Sequence, residues 1–210
     1  MVSRKQTEIT VLIIILLNLL FLSGGCSSSK TTDSSYYSTD SVRSGDIILR
    51  KSYGLISEII VAQLKDTIGI SHCGIIVKNP SKEIKVIHSL SKKVSDVDGI
   101  QISTIEDFMN DSRIETVRVV RFRNDTTGKI AEQACWLLKR KIPFDEDFNL
   151  ADTSALYCSE LPIQIIKNCF EIDISQRAGI PKFSIFLNSD NFREIEFIKK
   201  RAVKKPTRFL

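Results

Sequence analysis

The hydrophobic positions of this chain follow two spacings, which predict two kinds of element. Residues 54–66 and 127–141 carry apolar side chains three or four positions apart, as amphipathic helices do. Shorter helices are predicted over residues 104–109 and from Cys158 to about residue 167. Apolar runs rich in β-branched residues predict strands, namely residues 47–50, 71–77, 84–88, 99–102 and 115–122, and more weakly 184–187 and 194–198. Hairpins combined with separate helices predict an α+β fold.

The strand predicted over residues 115–122 is expected to be buried on one side. Val117, Val119 and Phe122 are assigned to the buried face, and Arg118 and Arg121 carry charge. Turn residues at Asn79-Pro80-Ser81-Lys82 join the strands before and after them into an antiparallel hairpin.

The N-terminal stretch has the pattern of a secretory signal. Basic residues precede a short apolar run at residues 9–22, which is followed by small residues and then Cys26. Leu22-Ser23-Gly24-Gly25-Cys26 resembles the lipobox of bacterial lipoproteins, although Ser23 stands where that motif usually has its apolar residue. The resemblance implies lipidation of Cys26 and a membrane-anchored protein of the bacterial cell envelope, facing the periplasm or the exterior. A signal sequence with an incidental cysteine is the alternative.

These features predict three segments. Residues 1–25 form the signal peptide, and residues 26–41, rich in Ser, Thr, Asp and Tyr, form a flexible tether. Residues 42–210 form one folded domain with a basic C-terminal tail. This division fits a chain of 210 residues that is 42% hydrophobic and 26% charged.

The charge of the chain favours a membrane rather than nucleic acid as a neighbour. The formal net charge is +5, and removing residues 1–25, with their two basic and one acidic residue, leaves +4. Much of this charge lies in residues 199–208, where a solvated tail can be attracted weakly to anionic headgroups. The basic residues do not cluster with aromatic ones, so no nucleic-acid partner is expected.

Cys158 is the cysteine in an activating position. It stands at the start of a predicted helix, where unpaired N–H groups and the helix dipole favour an anion. A thiol placed there ionises more readily, and the thiolate is the nucleophile. The competing interpretation is a small hydrophobic residue of the core. Tyr157, beside it, either lines a pocket or packs in the core.

The only two histidines of the chain fall in the predicted hairpin. His72 opens the first strand and His88 closes the second, so the turn is expected to set them close to opposite each other. One imidazole can then hydrogen-bond the other and fix its tautomer, which a general base requires. The alternative is two ordinary sheet residues. Two histidines without an acidic residue at ligand spacing make a poor zinc site, so no metal or other cofactor is predicted.

The remaining cysteines are assigned structural places. Cys73 follows His72 directly, so strand alternation directs it to the other face, away from the site. Cys135 is assigned to an apolar helix face, and Cys169 lies beyond the end of its helix. A structural alternative for Cys158 is a disulfide with Cys169 or another cysteine in an oxidising envelope.

The chain resembles the circularly permuted branch of the NlpC-type papain-like cysteine hydrolases, the YiiX/YebB-like group. The resemblance rests on short motifs in a specific order: Gly45-Asp46-Ile47-Ile48, Ser71-His72-Cys73-Gly74-Ile75-Ile76, Pro143-Phe144-Asp145, Tyr157-Cys158-Ser159-Glu160-Leu161 and Ile180-Pro181. It covers about residues 42–198. Lecithin retinol acyltransferase is a more distant relative with the same histidine-before-cysteine order. The resemblance implies a papain-like α+β fold whose antiparallel sheet packs against the nucleophile helix.

The resemblance also implies roles for the site residues. Cys158 matches the nucleophile, His72 the general base and His88 the third, orienting position, where related proteins often have glutamate. A histidine there is similar to the acyltransferase side of the superfamily. The hypothesis is thiolate acyl transfer, with the backbone N–H of Cys158 donating to the oxyanion. The substrate is a peptidoglycan peptide, a lipid-linked amide or an amino-acid amide. The alternatives are a non-catalytic envelope binding module on the same scaffold and a lipid acyltransferase.

Overall fold

The computed structural model describes residues 37–175 and 179–199, and its centre is an antiparallel sheet. In the described part of the chain the sheet has six strands, which are β1 (Ile47–Arg50), β2 (His72–Lys78), β3 (Ile84–Leu90), β4 (Gly99–Thr104), β5 (Arg118–Phe122) and β6 (Phe192–Ile195). Their order across the sheet is β4-β3-β2-β1-β5-β6. All neighbouring strands are antiparallel.

Four helices of the described residues connect or flank these strands. They are α1 (Leu55–Leu64), α2 (Ile105–Asn110), α3 (Lys129–Arg140) and α4 (Glu160–Phe170). Local chemistry explains where two of them begin. Thr104 caps α2 by accepting from the Asp107 N–H at 3.0 Å. The buried Asp125 carboxylate accepts from the first N–H groups at the start of α3, at 2.7 to 3.1 Å.

The sheet separates two hydrophobic clusters of the described residues. One contains Cys73, Ile75 and Ile87 with α3 and α4, and the other contains Ile48, Ile76 and Val86 with α2. Successive residues of a strand point to opposite faces, so β2 contributes to both clusters. Antiparallel strands with helices on both sides confirm the predicted α+β class.

Three local predictions differ from the structure. Residues 184–187 were predicted as a strand, but Phe183–Phe186 form a 3-10 helix. In β5, Val119 and Phe122 lie on opposite faces, and both faces are buried because each lies against one of the two hydrophobic clusters. Helix α1 forms at its predicted place, but Ser57 is its buried residue, and Leu55 and Ile59 are exposed.

The described chain begins in packed structure. Tyr37, which the sequence analysis assigned to the tether, is buried, and its ring stacks on Phe197 with centroids 5.1 Å apart. The Ser38 N–H donates to the Phe197 carbonyl at 2.8 Å. The predicted signal peptide, Cys26 and most of the basic tail lie outside the described residues. Within the described part, no helix is long and apolar enough to cross a membrane.

Candidate active site

The two histidine rings meet at the end of the β2–β3 hairpin. His72 Nε2 and His88 Nδ1 are 2.9 Å apart, and both side chains are buried. Each ring packs against Phe108 of α2, with ring centroids 5.8 Å and 5.7 Å away. The other nitrogen of His88, Nε2, lies 3.2 Å from Ser103 Oγ on β4. Ser103, His88 and His72 therefore form a hydrogen-bonded chain across three strands.

The sequence predicted that the histidines lie close to opposite each other, and in the structure they are offset by two positions along the hairpin. Ile75 pairs with Ile87, so the next pair matches His88 with Gly74 rather than with His72. The turn between the two strands causes this offset. It is closed by the Asn79 N–H, which donates to the Glu83 carbonyl at 3.1 Å, and this bond sets the register of β2 against β3. The diagonal contact depends on Gly74, because any side chain there would meet Val86 and His88.

Cys158 lies in the first turn that leads into α4. The Leu161 N–H donates to the Tyr157 carbonyl at 3.1 Å, which is already a helical hydrogen bond, although regular helix begins at Glu160. The Glu160 carboxylate accepts from the Tyr157 N–H at 3.4 Å, in the manner of a capping box. The N–H groups of Cys158 and Ser159 therefore belong to the helix start, as the sequence predicted.

The structure places Cys73 against Cys158, contrary to the expectation that strand alternation removes it from the site. The Cys73 thiol donates to the Cys158 carbonyl at 3.1 Å. Alternation does direct Cys73 to the face opposite His72, but α4 packs on that same face. Cys73 is thus a neighbour of the predicted nucleophile that sequence reasoning missed. Its apolar strand context gave no signal.

The sulfur of Cys158 and the imidazole of His72 approach β2 from different sides. His72 lies on the face with Phe108, whereas Cys158 packs with the α4 face, where its sulfur meets the thiol and backbone N–H of Cys73. Both groups therefore flank the peptide that begins β2. Among the hydrogen bonds of the described residues, none joins Cys158 Sγ to either histidine.

The surroundings of Cys158 favour its thiolate. The pKa of Cys158 is lowered mainly by a hydrogen bond from the Cys73 thiol, whose one proton can turn from the Cys158 carbonyl to the Cys158 sulfur, against the opposing effect of burial. The backbone N–H groups of Ser159, Cys73 and Cys158 lower it further. Burial and the neighbouring Cys158 raise the pKa of Cys73 well above its ordinary value. The pair therefore has one ionisable thiol and one that keeps its proton.

Both histidines are held in the neutral form. Burial lowers the pKa of His72 well below its ordinary value, and the charges of Arg50 and His88 lower it further. Burial and Arg50 lower the pKa of His88 to about 3. A neutral imidazole is the form that accepts a proton, but the same lowering of the pKa makes His72 a weaker base than a free histidine.

Arg50 is a buried cation beside the histidines that sequence reasoning missed. It pairs with His72 across β1 and β2, and its guanidinium lies 4.0 Å from the centre of the Phe108 ring. Its Nη2 forms an ion pair with Asp111 at 2.8 Å, while Nε is buried and has no hydrogen-bond partner in the described part of the chain. Burial lowers the pKa of Arg50 to about 10, and Asp111 and Cys158 counter this shift. The positive charge is therefore felt at both the imidazoles and the sulfur.

Two residues singled out by the sequence lie in the structural framework. Tyr157 is buried, its hydroxyl has no hydrogen-bond partner among the described residues, and its ring packs 5.2 Å from Phe148. Asp46 is also buried and accepts from Arg121 at 2.7 and 2.8 Å. That bidentate pair fixes the turn into β1.

An open cavity of about 260 Å³ reaches His72 from outside. Its lining consists of Arg50, Ser52, Tyr53, Gly54, Leu55, Ile56, Ser57, Ile60, Ser71, His72, Leu90, Val94 and Asp111. Tyr157 is not part of this lining, so the pocket role considered for it is not supported by this cavity.

The cysteines of the described residues are free thiols, and no disulfide involves Cys158 there. Groups of three or more His, Cys, Asp or Glu side chains arranged to hold a metal ion do not occur in residues 37–175 and 179–199. What the site offers chemically is a thiol with a lowered pKa, neutral imidazoles and helix-start N–H groups.

Comparison with known proteins finds a matching family and a similar structure. A family model described as a permuted papain-like amidase enzyme, YaeF/YiiX, C92 family, matches residues 41–204. The crystal structure of the metalloprotein yiiX from Escherichia coli O157:H7 superposes with a TM-score of 0.55 at 16% sequence identity. That match covers 72% of this chain and 95% of the other, and it supports the fold alone. No curated protein matches the sequence.

Proposed function

Because this chain belongs to the permuted papain-like amidase family, we propose that it is a cysteine hydrolase of the bacterial cell envelope that cleaves an amide bond. Cys158 is the nucleophile, His72 the general base and His88 the residue that orients His72. The observation that supports the proposal is that a thiol of lowered pKa and a hydrogen-bonded pair of neutral imidazoles flank the same end of β2.

The reaction begins with proton transfer from Cys158 to His72. The thiolate attacks the amide carbonyl, and the tetrahedral intermediate collapses to a thioester while His72 protonates the departing amine. His72 then takes a proton from water, and the resulting hydroxide cleaves the thioester to release the acid and restore the thiol. The N–H of Cys158 donates to the oxyanion, a contact worth roughly 3–4 kcal/mol in the transition state.

The hydrogen-bonded histidines define the tautomer that the base needs. If His72 Nε2–H donates to His88 Nδ1, and His88 Nε2–H donates to Ser103 Oγ, then His72 Nδ1 is free to accept the thiol proton. The reverse direction leaves a proton on His72 Nδ1 and blocks the base. Ser103 therefore acts as the acceptor that ends the chain in the active form.

The cellular assignment rests on the sequence of the N-terminus. Lipidation at Cys26 would anchor the domain at the envelope, within reach of peptidoglycan peptides and of lipid-linked or amino-acid amides. The yiiX structure is titled a metalloprotein. The described residues here do not fit a metal centre, because they form no cluster of three or more ligands and the two imidazoles bond to each other. We assign no step to a metal.

A non-catalytic binding module on the same scaffold is the second candidate. It is favoured by one observation, the lack of a hydrogen bond between Cys158 Sγ and His72 among the described residues. Iodoacetamide at neutral pH separates the two, with the modified cysteines identified by mass spectrometry. The hydrolase requires Cys158 to react well before Cys73, Cys135 and Cys169, whereas equal slow labelling favours the binding module.

Hydrolysis itself is tested by incubating the full chain with muropeptides and with N-acyl amino acids. The wild type should release products, and Cys158→Ala should not. Cys169→Ala is the matched control, because it removes a thiol elsewhere on α4. Activity that survives Cys158→Ala would contradict the assignment of the nucleophile.

A further inference from the structure

Cys73 is a fully buried thiol to which the proposed mechanism gives no step. It lies on β2, and its thiol donates to the Cys158 carbonyl at 3.1 Å. The two sulfur atoms also lie within hydrogen-bonding reach of each other. Cys158 is half-buried, so the pair combines a partly accessible sulfur with a buried one. A disulfide forms when side-chain rotation shortens this contact to the S–S bond length of about 2.05 Å.

The other two cysteines of the described residues lie elsewhere. Cys169 comes nine residues after Glu160, where regular helix begins, so it lies roughly 13 Å further along the axis of α4. The Cα atoms of a disulfide are usually no more than about 7 Å apart, which rules out a bond between Cys158 and Cys169. Cys135 lines an open cavity together with Cys169. Among the described cysteines, Cys73 is therefore the one that contacts Cys158.

We propose that Cys158 and Cys73 form a redox-modification site, in which a hydroperoxide oxidises Cys158 and Cys73 then closes a disulfide with it. The disulfide itself requires no catalysis. Its consequence, a reversible loss of amide hydrolysis, rests on the proposed function, because the new bond occupies the nucleophilic sulfur. The cell envelope that we propose as the location is an oxidising compartment, where disulfides form and persist.

The first step oxidises the sulfur of Cys158. Its thiolate attacks one oxygen of hydrogen peroxide, so that an S–O bond forms, the O–O bond breaks and hydroxide leaves. The sulfur loses two electrons, which the peroxide gains, and the hydroxide takes a proton from solution to become water. The N–H groups of Ser159 and Cys73 favour the thiolate that this attack requires.

The second step closes the disulfide. The sulfur of Cys73 attacks the sulfur of the Cys158 sulfenic acid, so that the S–S bond forms and the S–O bond breaks. The departing hydroxide takes the Cys73 proton and leaves as water. Burial is the main cause of the raised pKa of Cys73, and Cys158 adds to it through its hydrogen bond and its negative charge. A sulfenic acid is neutral, so oxidation of Cys158 removes that charge and makes the Cys73 proton easier to lose.

Peroxide treatment of the full chain, followed by mass spectrometry of its peptides, tests the proposal without any substrate. The wild type should yield two peptides joined through Cys73 and Cys158, lighter by two hydrogen atoms than the reduced pair. Dithiothreitol should then restore the alkylation of Cys158 by iodoacetamide. In Cys73→Ala the oxidised Cys158 has no partner, so it should give at least about tenfold more sulfinic acid per oxidised Cys158, which dithiothreitol does not reverse.

The product distribution is compared rather than the rate, because removal of Cys73 also changes the ionisation of Cys158. Cys169→Ala is the matched control, since it removes a cysteine that lies out of reach, and it should form the wild-type disulfide. Cys73→Ser keeps a small polar side chain at this buried position and tests the loss of the disulfide even if Cys73→Ala does not fold. Equal sulfinic acid in the wild type and Cys73→Ser would overturn the proposal. So would a disulfide from Cys158 to Cys135 or to a second copy of the chain.

Hydrolysis assays separate this inference from the proposed function. Cleavage of muropeptides or N-acyl amino acids should fall in proportion to the disulfide formed and return on reduction. If the disulfide forms but the reduced protein cleaves neither substrate, the hydrolase is refuted and the redox site is kept. If the reduced protein is active but peroxide converts Cys158 of the wild type directly to sulfinic acid, only the redox site is refuted.

Discussion

Gly74 lies beside His88 in the β2–β3 pair, so close that a Cβ atom on Gly74 would lie 3.1 Å from the Cβ of His88. The same atom would lie 2.4 Å from Val86 Cγ1 and 3.1 Å from the Ile87 carbonyl oxygen. The 2.4 Å contact with Val86 is shorter than packed carbon atoms tolerate. The other two contacts involve a Cβ atom and a backbone oxygen, which cannot move without the strand. A side chain at position 74 therefore has to separate β2 from β3 where the two histidines meet.

We expect Gly74→Ala to lower the free energy of unfolding by about 1–3 kcal/mol through overpacking. The folded fraction should also lose amide hydrolysis, because displacement of β3 breaks the His72–His88 hydrogen bond. Chemical denaturation measures the first effect and active-site titration the second. Gly128→Ala is the control, since Gly128 has a positive φ of 84° but nothing within 4 Å of a Cβ atom. It should cost stability through backbone strain and leave the activity per folded molecule intact.

The proposal that His88 acts through His72 as a positioning residue predicts a specific kinetic signature. His88→Phe keeps an aromatic ring beside Phe108 but removes both nitrogen atoms that link His72 to Ser103. We expect kcat to fall by about 10–100-fold with little change in KM, because the proton transfer loses its oriented base while the cavity is unaltered. Steady-state kinetics on a soluble amide substrate makes the measurement.

The conservative variant distinguishes positioning from simple packing. His88→Gln retains a donor and an acceptor, so it should recover part of kcat although it fills the space less well. If His88→Phe is as active as the wild type, His88 does not orient the base. A variant series in which activity follows side-chain volume rather than hydrogen bonding would assign His88 to the core.

The Cys73 thiol is predicted to control the ionisation of Cys158. Because the Cys73 proton donor is the main cause of the lowered pKa of Cys158, Cys73→Ala should raise that pKa. The pH midpoint of Cys158 alkylation by iodoacetamide should therefore move upward, and labelling at neutral pH should slow about tenfold for each pKa unit. Mass spectrometry of the Cys158 peptide follows the rate.

Cys73→Ser distinguishes the donated hydrogen bond from packing as the cause of the lowered pKa, because a serine hydroxyl also donates a hydrogen bond from this position. It should keep the alkylation midpoint nearer to that of the wild type than Cys73→Ala does. Identical upward shifts in both variants would show that packing around Cys158, rather than the donated proton, sets its pKa.

The sequence predicted the hairpin and the helix start well because both depend on local signals. The β-branched runs defined β2 and β3, and the Asn79-Pro80-Ser81-Lys82 turn joined them, so the meeting of His72 with His88 followed from the hairpin. The offset of two positions did not follow, since register depends on the hydrogen bond that closes the turn. The roles of Cys158, His72 and His88 in catalysis stay predictions.

What the sequence could not supply were contacts between distant segments. Cys73 and Cys158 meet because α4 packs across the start of β2, and Arg50 becomes important because β1 pairs beside His72. No local pattern distinguishes these residues from other core positions. Helix α1 shows a different failure. Of the apolar positions that predicted it, Ile60 and Leu64 pack against the core, but Leu55 and Ile59 are exposed.

The buried carboxyl group of Glu160 predicts a characteristic dependence of stability on pH. Burial raises the pKa of Glu160 to about 7, although the Tyr157 N–H and Gln164 partly counter it. Between pH 4.5 and 7 the folded protein therefore holds a proton that the unfolded chain releases. The contribution of Glu160 is present in full below this window and is lost as the pH rises through about 7. The side chain in Glu160→Gln stays neutral at every pH, so the free energy of unfolding of this variant does not fall as the pH rises through about 7.

We expect the stability of the wild type relative to Glu160→Gln to decrease by on the order of 2 kcal/mol from pH 5 to pH 8. Comparing the two proteins removes the opposite effect of His72 and His88, whose lowered pKa values cost stability as the pH falls below 6.5 in both. Denaturant unfolding at a series of pH values makes the measurement. Parallel stability curves would show that Glu160 is ionised in the folded protein throughout this range.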